Sequence, residues 1–180
     1  MIEFIAAFLT LLSAYYTVKG NILCWPTGIV STILYIYLLL IQHLYGQIFA
    51  DIVILAQSIY GWFYWDLTKN DVGHYINKRD YFLHIAIVCV LTVLFGVYFQ
   101  HYTNNPQPFL DVFTTFLALL ANWYLAKKII QSFITWVITD IGLVLMFVWQ
   151  HMYWSAGLYI ILIGFALKGH IKWVKDLKTV

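Results

Sequence analysis

The 180-residue chain is 63% hydrophobic and only 10% charged, with a formal net charge of +2. That composition lies outside the range of water-soluble domains, and its few cations, gathered near the ends of apolar runs, exclude a nucleic-acid-binding surface. Its 2 cysteines, Cys24 and Cys89, fall in separate apolar runs and are expected to be buried thiols, not a disulfide framework.

A hydrocarbon core about 30 Å thick is crossed by about 20 mostly apolar residues in a helix. Runs of that kind predict spanning helices over 2–18, 23–42, 45–65, 81–100, 109–126, 130–150 and 153–172. No positive residue precedes the first run, so it reads as helix 1 and not as a secretory signal. Every Lys and Arg falls on one side of this scheme: Lys19 after helix 1, then Lys69, Lys78 and Arg79 after helix 3. Lys127 and Lys128 follow helix 5, and Lys168, Lys172, Lys175 and Lys178 close helix 7. The bias of basic residues toward cytoplasmic loops then puts the N-terminus outside and the C-terminus in the cytoplasm. Aromatic residues at helix ends, Tyr60, Trp62, Tyr64, Trp65 and Trp173, fit interfacial belts.

The sequence matches itself without gaps at an offset of 108 residues, helices 1 to 3 against helices 5 to 7. Leu11 and Leu12 align with Leu119 and Leu120, Lys19 with Lys127, and Gln42-His43 with Gln150-His151. Tyr45 aligns with Tyr153, Gly61 with Gly169 and Trp65 with Trp173. Three helices per unit and one between them require both units to enter the membrane in the same sense. The expected architecture is therefore an all-α integral membrane protein of 3+1+3 parallel repeats. Its parts are a first repeat at 1–65, a loop and linker helix at 66–108, a second repeat at 109–173 and a cytoplasmic tail at 174–180. Parallel repeats of this kind characterise SWEET-type carriers, with substrate bound near the midplane between the halves.

A carboxylate at the bilayer centre costs roughly 2.5 kcal/mol or more, so Asp51 on helix 3 and Asp140 on helix 6 require a reason. Trp136 and Asp140, four residues apart, share one helix face. An indole beside a carboxylate suits a flat cation. Asn122, followed by Trp123 on helix 5, and Gln57 with Ser58 on helix 3 complete the candidate binding residues. Each has a plainer reading: Ser58 and Thr32 bonded to their own helix, Asn122 holding two helices together, Asp140 capping a structural network. His43 and His151 recur at the outer ends of helices 2 and 6 and suit a structural loop role. No phosphate-binding glycine loop, HExxH, nucleophile elbow or paired cysteines at metal-ligand spacing appears. Neither an enzyme, nor an ATP-driven pump, nor a bound cofactor or metal is expected.

Leu44-Tyr45-Gly46 opens helix 3 and Ile59-Tyr60-Gly61-Trp62-Phe63-Tyr64-Trp65 closes it. Trp136-Val137-Ile138-Thr139-Asp140 lies in helix 6, and Ile171-Lys172-Trp173 ends helix 7. On these motifs nearly the whole chain resembles the bacterial nicotinamide riboside transporters of the PnuC type. The resemblance implies a SWEET-like homotrimer in the bacterial inner membrane. It further implies facilitated diffusion of a vitamin precursor, trapped by cytoplasmic phosphorylation, with Trp136 and Asp140 as the helix 6 substrate motif and Asn122 with Trp123 at a polar position of helix 5. Where many relatives carry Gln in helix 3 this chain has Asp51, and where an Asn-Trp pair is common before helix 6 it has Ser132-Phe133. An added carboxylate suits the pyridinium of nicotinamide riboside first, the thiazolium of thiamine second, and not neutral riboflavin. The opposing class is a non-transporting membrane scaffold whose repeat serves packing alone.

Overall fold

The structure, a computed structural model, describes residues 2–41, 45–68, 73–103 and 105–179, with backbone alone at 45–47. Gln42, His43, Leu44 and Lys69, used above, lie outside the described residues, as does Val180. Among the described residues there are seven helices of membrane-spanning length: α1 (Ile2–Lys19), α2 (Cys24–Ile41), α3 (Tyr45–Leu67), α4 (Lys78–Tyr102), α5 (Pro108–Ala126), α6 (Gln131–Trp149) and α7 (Tyr153–Lys178). A helix satisfies its own backbone polar groups, the condition for crossing hydrocarbon. Hydroxyls within the spans also bond backward to their own helix, as in Thr10 to the Ala6 carbonyl (3.1 Å) and Thr135 to that of Gln131 (2.9 Å).

Two helices run past the limits that hydropathy sets. Helix α4 starts early because the Asn77 side chain accepts from the Arg79 N–H at 3.2 Å, capping its first turn. Helix α7 continues through Lys178, so residues 174–178 are helical. Hydropathy reads where a segment leaves hydrocarbon, whereas the helix ends where its backbone bonds do.

Six helices close a ring in the order α1, α2, α3, α5, α6, α7, with α7 packed back on α1; α4 stands outside against α5. The two seams that join the halves, α3 on α5 and α7 on α1, correspond at the offset of 108 residues. At the Lys-rich end of these seams the correspondence is atomic. The Trp65 indole N–H donates to the Leu125 carbonyl at 3.2 Å, and that of Trp173 donates to the Thr17 carbonyl at 3.2 Å. Leu125 is the counterpart of Thr17, so each half gives the other the same hydrogen bond. Trp25 meets Trp65 edge to face (5.5 Å, 88°) and its counterpart Phe133 meets Trp173 likewise (5.0 Å, 80°), while Trp65 and Trp173 touch at 5.7 Å. The turns after α1 and α5 match as well: Gly20 (φ 65°) corresponds to Lys128 (φ 57°). Gly20 adopts that left-handed conformation freely, whereas Lys128 does so at a cost of about 1 kcal/mol. In return, Lys128 reaches the Thr68 carbonyl at the end of α3 and sits 5.5 Å from the Trp65 ring centroid.

Two expectations are corrected. Trp65 and Trp173 are not interfacial anchors: they are 3% and 6% exposed and join the core cluster of Trp25, Leu125, Ala126, Ile130 and Phe133. Their indole N–H groups find buried carbonyls, which removes the reason for a Trp to seek the headgroup layer. Tyr60 and Trp62 do lie on the outer surface. Cys24 is buried but Cys89 is exposed, because α4 packs mainly against α5 and turns Cys89 outward.

Candidate functional site

Heptad spacing aligns one face of each inner helix with the centre of the ring. On α3 that face carries Asp51, Ser58 and Trp65; on α6 it carries Phe133, Asp140 and Phe147. Moving away from the Trp65–Trp173 cluster, the first layer is polar. Asn122 Nδ2 donates to Gln57 Oε1 (3.2 Å), the Ile54 carbonyl (3.3 Å) and Ser58 Oγ (3.5 Å), binding α5 to α3. Ser58 Oγ in turn donates to the Ile54 carbonyl at 2.8 Å. The opposite seam has Ala14, Phe165 and Ala166 at the counterpart positions, so only one of the two seams carries this amide. Asn122→Leu is expected to lower stability by about 1 kcal/mol, read as an earlier melt in detergent; an unchanged melt would remove Asn122 from the seam.

About 10 Å further along α3, at 1.5 Å per residue, lies Asp51. Asp51, half-buried, and Asp140, 3% exposed, both act electrostatically on the Tyr159 hydroxyl of α7, and Asp51 also acts on Tyr35 of α2. One carboxylate from each half thus lies on the ring-facing side of its helix, within electrostatic range of the same phenol. Among the described residues neither carboxylate has a hydrogen-bond or cationic partner. Trp136 is half-buried one turn from Asp140 on α6, and Phe147, two turns to the other side, stacks on Tyr159 at 5.4 Å and 10°.

Of the residues singled out in the sequence, the structure brings Asn122, Gln57 and Ser58 into one hydrogen-bonded layer and Asp51 and Asp140 into one electrostatic cluster. Trp123 is not among them. It is 39% exposed, stacks on Tyr60 (5.4 Å, 24°) and carries the Lys127 ammonium 5.1 Å from its ring centroid. Consecutive helical residues point about 100° apart, so Trp123 cannot follow Asn122 inward. The plainer expectations for Ser58 and Asn122, a bond to the serine's own helix and a tie between helices, describe their contacts. Tyr159, Phe147 and Tyr35 escaped sequence reasoning; the one available signal was that Tyr159 aligns with Asp51 at the repeat offset. His151, in the left-handed region at φ 59°, lies in the turn after α6 with Nδ1 3.1 Å from the Tyr153 hydroxyl.

A family model described as "Nicotinamide mononucleotide transporter" matches residues 1–175. The chain is similar to "Nicotinamide riboside transporter PnuC" of Escherichia coli (strain K12), 22% identical over 178 residues, covering 83% of this chain and 74% of the relative. The Shigella flexneri protein of the same name matches to the same extent, 22% identical over 178 residues. Among solved structures, "Crystal structure of the Vitamin B3 transporter PnuC" superposes with a TM-score of 0.79 over 99% of this chain and 82% of that one, at 19% identity. That likeness establishes the fold.

Proposed function

The chain belongs to the nicotinamide mononucleotide transporter family, and on that premise we propose that it carries nicotinamide riboside across the bacterial inner membrane by facilitated diffusion, with cytoplasmic phosphorylation trapping the product. One observation carries the choice of substrate: Asp51 and Asp140, one on the ring-facing side of each half, have no cationic partner among the described residues. An unpaired carboxylate in hydrocarbon is costly and calls for a counter-charge. The pyridinium of nicotinamide riboside supplies one, and Trp136 beside Asp140 suits its flat ring. Nicotinamide mononucleotide carries the same ring but adds a phosphate that two carboxylates would repel. The family description and the names of the relatives differ on this point, and the charge of the site favours the riboside.

The remaining architecture follows the same reading. The atomic correspondence of the two seams supports two parallel three-helix repeats about a lone α4. The basic residues after α1, α3, α5 and α7 support an outside N-terminus and a cytoplasmic C-terminus. The assembly is a homotrimer on family grounds. Calorimetric titration of purified protein in detergent tests the substrate. Nicotinamide riboside is expected to bind, and nicotinamide mononucleotide at least about ten-fold more weakly. Equal or tighter binding of the mononucleotide would sink the charge argument. Thiamine, a cation without ribose, is the competing ligand; if it alone binds, Asp51 has redirected the site.

A further inference from the structure

The two seams share their tryptophan hydrogen bonds but differ in what surrounds them. Across α3–α5 at the Lys-rich end, the Lys128 ammonium also donates to the Thr68 carbonyl. The segment entering α4 then folds back over the turn between α5 and α6. Its His74 N–H donates to the Lys128 carbonyl at 3.1 Å, and the Ile130 N–H donates to the His74 carbonyl at 2.9 Å, a parallel bridge. The Gln131 side chain grips the same segment twice, its Nε2 donating to the Ile76 carbonyl (2.9 Å) and its Oε1 accepting from the Ile76 N–H (3.3 Å). Gly73 packs so closely that a Cβ there would stand 2.6 Å from the Trp173 ring and 3.1 Å from Ile130. One layer deeper, Asn122 ties α5 to α3 again. The α1–α7 seam adds to its tryptophan bond a single exposed contact, from Lys172 Nζ to the Lys19 carbonyl at 3.0 Å. The turns record the difference. Lys128, Ile129 and Ile130 are buried, whereas their counterparts Gly20 and Asn21 are exposed and Ile22 borders an open cleft of about 390 Å³.

Carriers built from two repeats expose their site to alternate sides by rocking one repeat against the other. In a ring closed at two seams, opening toward the Lys-rich end parts one seam and makes the other the hinge. Parting α3–α5 breaks the Trp65 bond, the Lys128 bond, the backbone bridge and the Gln131 grip together. Parting α1–α7 breaks the Trp173 bond and one exposed lysine contact. Elements held by few bonds, and those exposed to solvent, open at the lowest free energy. Resting on the transport reading above, but not on the identity of the ligand, we propose that the ring opens toward the Lys-rich end between α1 and α7. The α3–α5 seam, strapped by residues 73–77, is the hinge that stays closed. Substrate therefore passes on the α1–α7 side of the tryptophan cluster, and α7 carries Trp173 away from Thr17 as it moves.

Pseudo-equivalent cysteine pairs test this, in a full chain carrying Cys89→Ala to remove the exposed native thiol. Lys19→Cys with Lys172→Cys spans α1–α7, and Lys127→Cys with Tyr64→Cys spans α3–α5, each position lying 108 residues from its counterpart. Both pairs are in contact, through the Lys172 bond to the Lys19 carbonyl and through the Lys127 ammonium 5.2 Å from the Tyr64 ring centroid. The protein in proteoliposomes is bridged with a short bifunctional methanethiosulfonate and assayed for nicotinamide riboside uptake. Bridging α1–α7 is expected to abolish uptake, with recovery on reduction, while bridging α3–α5 leaves uptake at the level of its reduced form. Loss of uptake on bridging α3–α5, or full uptake with α1–α7 bridged, would overturn the proposal. Spin labels at Lys19 and Lys175, and at their exposed or half-buried counterparts Lys127 and Leu67, read the two seams without any ligand. A second, longer separation is expected for the first pair alone; its appearance in the second pair, or in neither, would equally overturn the hinge. Absence of riboside uptake by the unbridged protein, with the label distances as expected, would overturn the substrate reading and leave the seam assignment standing.

Discussion

Asp140→Asn is expected to weaken nicotinamide riboside binding by about 100-fold while leaving the unliganded protein at least as stable as the parent. The two halves of that result have one cause. Asp140 is 3% exposed on a membrane-spanning helix, and among the described residues no cation or donor compensates its charge. Removing one partner of a buried charge pair formed with a ligand typically costs 2 to 5 kcal/mol, roughly 30-fold or more in affinity. In the empty protein the same carboxylate is a liability, and the insertion cost of an acid at the bilayer centre is about 2.5 to 3.5 kcal/mol. Its neutral isostere is therefore expected to raise the detergent melting temperature of the unliganded protein. Paired melting and titration curves check this. If both stability and binding fall, Asp140 belongs to a structural network and the substrate reading loses its anchor.

Gly169→Ala is expected to produce the largest loss of stability among single-methyl changes, about 1 to 3 kcal/mol, with Gly61→Ala close to it. A Cβ at Gly61 would stand 2.5 Å from the Trp25 ring, and one at Gly169 would press into the Phe133 ring at the equivalent place in the other half. Both rings are themselves wedged against a tryptophan of the central cluster, so neither can retreat without breaking an edge-to-face contact. Helix α7 supplies its own comparison, since a Cβ at Gly157 or Gly164 meets nothing within 4 Å. Alanine there is expected to be neutral or slightly stabilising. Thermal melts of the four variants separate the close approach from any general effect of glycine on the helix. Equal melts for Gly164→Ala and Gly169→Ala would show that the packing of Phe133 is looser than described.

The seven spans were legible because hydrocarbon imposes a length and a polarity that single residues cannot disguise; the expected start of α3 at Tyr45 and end of α5 at Ala126 coincide with the observed ones. The exclusion of α4 from the ring was not legible, since hydropathy, although highest over α4, does not distinguish lipid from protein. Within the site, the acids announced themselves by cost. Tyr159 and Phe147 did not, because a tyrosine or phenylalanine in a span is ordinary and only the partner across the helix interface makes it specific. Trp123 and Trp65 exchanged their expected surroundings for the same reason. An aromatic ring near a helix end can face lipid or core, and for Trp65 and Trp173 a carbonyl offered to the indole favours the core.

The acceptors used by Trp65 and Trp173 are main-chain oxygens, at residues that differ in side chain, Leu125 in one half and Thr17 in the other. A point substitution can replace either side chain but leaves the carbonyl in place. The constrained part of this joint therefore reduces to the tryptophan donors and the small residues that admit the neighbouring rings, leaving most other positions free to differ. Two seams lined by different side chains can in this way still close by the same bond.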